Sequence, residues 1–151
     1  MDVQSSDAAQ TRRGRHLIAW FQYTIVAVFL LGAVSPLLAA AVGTGDWAGL
    51  AGPSRDRYGD PKDWNPPVGP DSVWNPLAWL VEISRWIVMT SLIVLLGFTG
   101  ALIGFAQLAG QRGNLSRGAS ANLLAGTLLC AGIAVLLLTP YGGQLRNWLL
   151  D

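Results

Sequence analysis

WIVMTSLIVLLGFTGALIGFA, residues 86–106, and ASANLLAGTLLCAGIAVLLLT, residues 119–139, decide how this chain folds. Neither stretch carries a charged residue. A helix standing in water needs charges on its outer face, so the solvent these segments fit is lipid. Each has 21 residues, about 31 Å of helix, which matches the ~30 Å hydrocarbon core of a bilayer. Thr90, Ser91 and Thr99 do not oppose insertion, because their hydroxyls can bond back to carbonyls of their own helix.

The flanks supply start and stop signals. Asn75 suits an N-cap and Pro76 the first helical position, so the helix carrying the first stretch opens there. Its first turns, Leu77 to Trp86, are amphipathic, with Glu82 and Arg85 spaced to form an ion pair on one face. Residues 110–118 make a tight polar turn containing Arg112 and Arg117. The following helix ends at Pro140 and the Gly142-Gly143 pair. Residues 76–139 therefore read as a transmembrane hairpin. Residues 140–151, with Tyr141, Arg146 and Trp148, read as a short interfacial tail.

A further apolar run occupies residues 17–42, about 39 Å if helical, with Gln22 its only strongly polar member. Pro36 is expected to kink or end it. Two readings stay open. It is a retained first span, with Trp20 and Tyr23 in an interfacial belt. Or it is a long secretory leader, with Arg12, Arg13 and Arg15 ahead of it and the small residues Ala39-Ala40-Ala41 offering cleavage between Ala41 and Val42. Residues 1–16 are polar, then basic, and the first ten or so are expected to be disordered. Residues 43–75 hold five prolines and six glycines, which exclude a long regular element. Trp47, Trp64 and Trp74 in that segment are expected to pack onto a neighbour or rest at lipid headgroups. The expected fold is an all-α membrane protein with three transmembrane helices, the last two forming a tight hairpin.

Basic residues set the orientation. Arg12, Arg13 and Arg15 with Arg112 and Arg117 sit in short flanks without nearby acids, whereas Arg55, Arg57 and Lys62 share a loop with aspartates. This places the N-terminus and the 110–118 turn in the cytoplasm and the 43–75 loop outside.

Composition and motifs argue against most chemistry. Only 13% of residues are charged, against ~25% in an ordinary soluble domain, and the net charge is +1. No basic face for nucleic acid is implied. The single cysteine, Cys130, excludes an intramolecular disulfide. His16, the only histidine, stands beside arginines in the tail and reads as solvated. Asp56, Asp60 and Asp63 lack the spacing and closing glutamate of a calcium loop. Asn114-Leu115-Ser116 fits a glycosylation sequon only if that turn faces outside. The spans lack the ionisable residues of a proton or ion path. No catalytic residue, metal ligand, cofactor or small-molecule substrate is expected. The expected partners are membrane lipids and other membrane proteins.

The small residues point to helix association. Gly97, Gly100, Ala101 and Gly104 lie four apart in two pairs, and Ala125, Gly126 and Gly132 recur on the last helix. Small residues at this spacing let backbones approach closely enough for dispersion and weak hydrogen bonds to hold them. They occur on more than one face of that helix, which leaves some for a homo-oligomer or another membrane partner.

In this layout the chain resembles the major pilins of conjugative type IV secretion systems, the TrbC-like family. The likeness is carried by the leader ending at Ala39-Ala40-Ala41, the helix over 75–109, the turn Gln111-Arg112-Gly113-Asn114-Leu115-Ser116-Arg117 and the helix over 119–139. The resemblance implies leader cleavage, extraction from the membrane into an extracellular pilus, and helices packed on neighbours and phospholipid. It also implies that Arg112 and Arg117 face the lumen or lipid headgroups. Two alternatives stand beside it: an accessory subunit of a larger membrane complex, and a holin-type permeabilising protein.

Overall fold

The computed structural model describes residues 3–64, 74–110 and 116–150, with side chains from His16 onward. Every regular element among them is helical. Three helical stretches are long and apolar enough to cross a bilayer: His16–Thr44, Leu92–Gly110 and Arg117–Leu138. The protein is an all-α, multi-pass membrane protein whose last two spans form a hairpin.

The first span belongs to a longer helical run. Helix α1 covers Val3–Phe29, a π-helical turn covers Leu30–Val34, and α2 covers Ser35–Thr44. The helix thus begins inside the segment expected to be disordered. Ala8, Ala9, Gln10, Arg12 and Arg13 are good helix formers, and extending an existing helix is far easier than nucleating one. Pro36 does not end the run. In a regular helix a proline deprives the carbonyl four residues back of its bond and clashes with it. Here the wider turn just before Pro36, in which Ser35 N–H bonds to Leu30 O, accommodates the ring. The run stops at Gly45, which adopts the left-handed conformation (φ 71°) expected at a helix C-terminus.

The connection that follows has the broken character its prolines and glycines dictate. It folds as a 3₁₀ turn Trp47–Ala51, a single-turn helix α3 (Arg55–Tyr58) and a second 3₁₀ turn Pro61–Trp64. Asp46 caps the first turn by accepting from Gly49 N–H at 3.0 Å. The segment packs back on its own chain. Trp64 lies against Gly43 and donates to Tyr58 O, while Trp47 and Trp74 remain exposed.

Helix α4 (Pro76–Met89) starts as its sequence signals, with Asn75 Oδ1 accepting from Leu77 N–H at 3.1 Å. The uninterrupted helix read from the sequence is, however, broken. α4 ends at Met89, and α5 (Leu92–Gly110) begins after Thr90 and Ser91. Ser91 takes φ 61°, a left-handed conformation a non-glycine residue adopts only under constraint. The spanning portion is thus 92–110 rather than 86–106. Helix α6 (Arg117–Leu138) is capped by Ser116 and packs along α5. The expected tail is instead an eleven-residue helix, α7 (Pro140–Leu150), burying Leu145, Trp148 and Leu149.

α5 and α6 both lie against α1, so the first span is the common support of the bundle. Tyr23 O–H donates to Asn122 Oδ1 at 2.6 Å, which puts the start of the first span and the start of α6 at the same end. The Trp47–Trp64 segment and α7 cap the other.

Candidate functional site

The packing centre of the spans is Gln22, fully buried in a surround of small residues. Its Nε2 donates to Gly100 O on α5 at 3.0 Å and to Thr127 Oγ1 on α6 at 3.1 Å. Thr127 in turn donates to Leu123 O at 2.7 Å, so its oxygen is free to accept. Cys130 Sγ completes the group at 3.7 Å from Gln22 O. One side chain therefore ties all three spans together. Gln22 Oε1 is buried and accepts no conventional hydrogen bond among the described residues. It faces the α-carbon of Gly126, a weak C–H donor.

This arrangement explains most of the small residues. A methyl group at Gly104 would overlap Thr127 Oγ1 and Gln22 Nε2, and one at Gly126 would overlap Gln22 Oε1. At Gly100 it would press on Ile25 Cδ1 (3.1 Å) and Cys130 Sγ (3.2 Å). At Gly97 it would meet Cys130 O (3.0 Å) and Ala134 Cβ (3.2 Å). Ala101 is half-buried against the same core. Four of the glycines are thus used within one subunit. Ala125 and Gly132 differ: both are exposed, and Gly132 has open space where a side chain would be. At 100° per residue they share a face of α6 with Gly118 and Ala121, also exposed and opposite the buried face of Leu123, Gly126, Cys130 and Leu137.

The capping end holds the polar groups. The Glu82–Arg85 pair is formed, at 3.8 Å, but Arg85 is 2% exposed and also donates to Pro61 O at 2.9 Å. It clamps the loop onto α4 rather than decorating a surface. Tyr58 and Trp148 stack edge to face with centroids 5.8 Å apart. Tyr58 O–H donates to Asp46 O at 2.7 Å and Trp148 Nε1 to Gly59 O at 3.1 Å. Arg146 reaches from α7 to Ser91 Oγ and so braces the break between α4 and α5. Burial, and then the nearby Asp46 carboxylate, raise the Tyr58 phenol above its ordinary pKa. Nothing in the sequence pattern singled out Tyr58, Ser91 or Arg146 for these tasks, since each depends on long-range contacts.

Ala41 and Val42 sit inside α2, Ala41 fully buried and Val42 exposed. Arg117 is the exposed first residue of α6, and Arg112 lies outside the described residues. His16, Trp20, Tyr23 and Asn122 line an open groove of about 330 Å³ at the basic end. Among the described residues no three His, Cys, Asp or Glu side chains gather to hold a metal. Compared with known proteins, the chain matches no family model, no curated protein and no solved structure.

Proposed function

We propose that this protein is a non-enzymatic structural subunit of the membrane. Its first span is retained, and it associates with copies of itself through the outer face of α6. The observation that carries the reading is the division of small residues. The spaces beside Gly97, Gly100, Gly104 and Gly126 are filled by the chain's own side chains or backbone, whereas Ala125 and Gly132 are exposed and, among the described residues, nothing occupies the place of a side chain at Gly132. In lipid, a flat strip of small residues gives another helix close access. Retention is supported by burial: cleavage after Ala41 would remove Gln22, Ile25, Phe29, Ala33 and Leu37 from the core. The orientation follows the basic residues, with the N-terminus and the 110–118 turn cytoplasmic.

The test is crosslinking in native membranes, using Ala125→Cys and Gly132→Cys in a Cys130→Ala background. A bis-maleimide should give dimers at both positions and none at Leu102→Cys, on the exposed side of α5. Equal yields at all three would reject the α6 interface.

A pilin-like subunit similar to the TrbC-like family is the second reading. It is favoured by the tight α5–α6 hairpin, with Arg112 in the joining segment and Arg117 at the start of α6. That reading requires a mature chain beginning near Val42. N-terminal sequencing of the purified protein separates the two.

A further inference from the structure

We propose that α4 lies in the plane of the membrane, seated among lipid chains at the boundary of the leaflet on the capping side. α5 has 19 residues, about 28 Å, close to the whole hydrocarbon thickness, so Leu92 marks its boundary. Along α1, Gln22 meets Gly104 and Ile25 meets Gly100. The two helices run antiparallel, and the same pairing carried upward puts Leu92 level with roughly residue 33 of the first span, at one residue per rise of 1.5 Å on each helix. A side chain at Gly32 would overlap the backbone of Ser84. Ser84 therefore lies at nearly the same depth as Leu92, although eight residues of chain, about 12 Å of helical rise, separate them. A helix continuing along the membrane normal cannot satisfy both contacts. A helix crossing the first span at Gly32, then turned downward at Thr90-Ser91, does. α4 accordingly meets α1 and the Leu30–Val34 turn.

Val81, Ser84, Arg85 and Val88 are buried against the protein. Trp79, Ile83 and Trp86 project from the opposite side, each more than half exposed, and Leu80 flanks them. This surface continues the outer surface of α5, which lipid already covers. Lipid chains are the occupant that fits. The only cation of α4, Arg85, is turned inward, so the attraction is apolar and independent of anionic headgroups.

Nitroxide labels on the full-length protein in phosphatidylcholine vesicles test this. Single cysteines replace Trp79, Ile83 and Trp86 in the Cys130→Ala background, with Asp60→Cys as an aqueous reference. Each variant is first checked for helix content and monodispersity, and the three separate sites guard against one misfolded variant. The expected result is preferential access of oxygen over a water-soluble nickel chelate at all three sites, with depths agreeing within about 3 Å. A helix along the normal would spread positions 79 and 86 by about 10 Å. That spread would overturn the proposal, as would nickel access equal to that at position 60. Exclusion of both reagents would also overturn it, by showing a protein in place of lipid.

Discussion

Substituting Gly104 by alanine probes the centre of the bundle most directly. The new methyl would fall on Thr127 Oγ1 and Gln22 Nε2, atoms that are bonded to each other at 3.1 Å and buried on every side. To admit it, α5 must move away from α1 and α6, or Gln22 must rotate and release its bonds to Thr127 and Gly100. Overpacking of a tight core costs about 1–3 kcal/mol. Each interhelical hydrogen bond lost in lipid adds about 0.6 kcal/mol. Against these stands up to ~1 kcal/mol gained by replacing glycine within a helix. The net expectation is destabilisation of about 2 kcal/mol, roughly 30-fold in the folding equilibrium. Unfolding in mixed micelles of mild detergent and dodecyl sulfate, followed by circular dichroism, measures it. Gly132→Ala, where the methyl meets open space, provides the control: with no overlap to oppose it, the helix-propensity gain should leave monomer stability unchanged or raised by up to ~1 kcal/mol. Adding Thr127→Ala makes room for the methyl, so the double variant should lose less than the two single losses summed. Equal stability of the Gly104→Ala and Gly132→Ala proteins would refute the Gln22-centred packing.

Trp148→Ala should weaken the cap by about 3–5 kcal/mol, since it empties a fully buried ring site and breaks the bond to Gly59; faster tryptic cleavage at Arg55, Arg57 and Lys62 would reveal it. Ser91→Gly and Ser91→Ala both remove the hydroxyl that Arg146 holds, but only glycine is at ease at φ 61°. The glycine variant should be the more stable of the two by about 1 kcal/mol, and the reverse order would discount strain at the break. Because Tyr58 is raised in the folded protein, its contribution to stability is intact below about pH 10 and falls as pH rises from there through the raised value. Stability measured from pH 9 to 12 should decline less steeply in Tyr58→Phe than in the parent.

The apolar runs made the three spans legible, because lipid leaves little choice for an uncharged stretch of about 20 residues. Asn75 and Pro76 likewise announced α4 from local chemistry alone. The break at Thr90-Ser91 was not legible, since both residues are tolerated in membrane helices and the left-handed turn depends on Arg146, 55 residues away. Pro36 was half legible: of the two outcomes expected there, a kink or an end, the helix does not end, because a π-helical turn accommodates the ring. The glycine pattern correctly signalled close helix contact. Which contacts lay within one subunit followed only from the side chains that fill the spaces. Gln22 stood out as a polar intruder in an apolar run, yet its partners lie 78 and 105 residues further on.

That separation has a consequence for biogenesis. The ribosome releases Gln22 long before Gly100 and Thr127 exist, so its amide must enter the bilayer or the insertion machinery with both partners still unmade. α5 and α6, adjacent in sequence, can pair as soon as they emerge, and the earlier helix is clasped only afterwards. Chains halted during synthesis before residue 127 should therefore leave the first span extractable or bound to a chaperone. Chains released after α6 should hold it firmly.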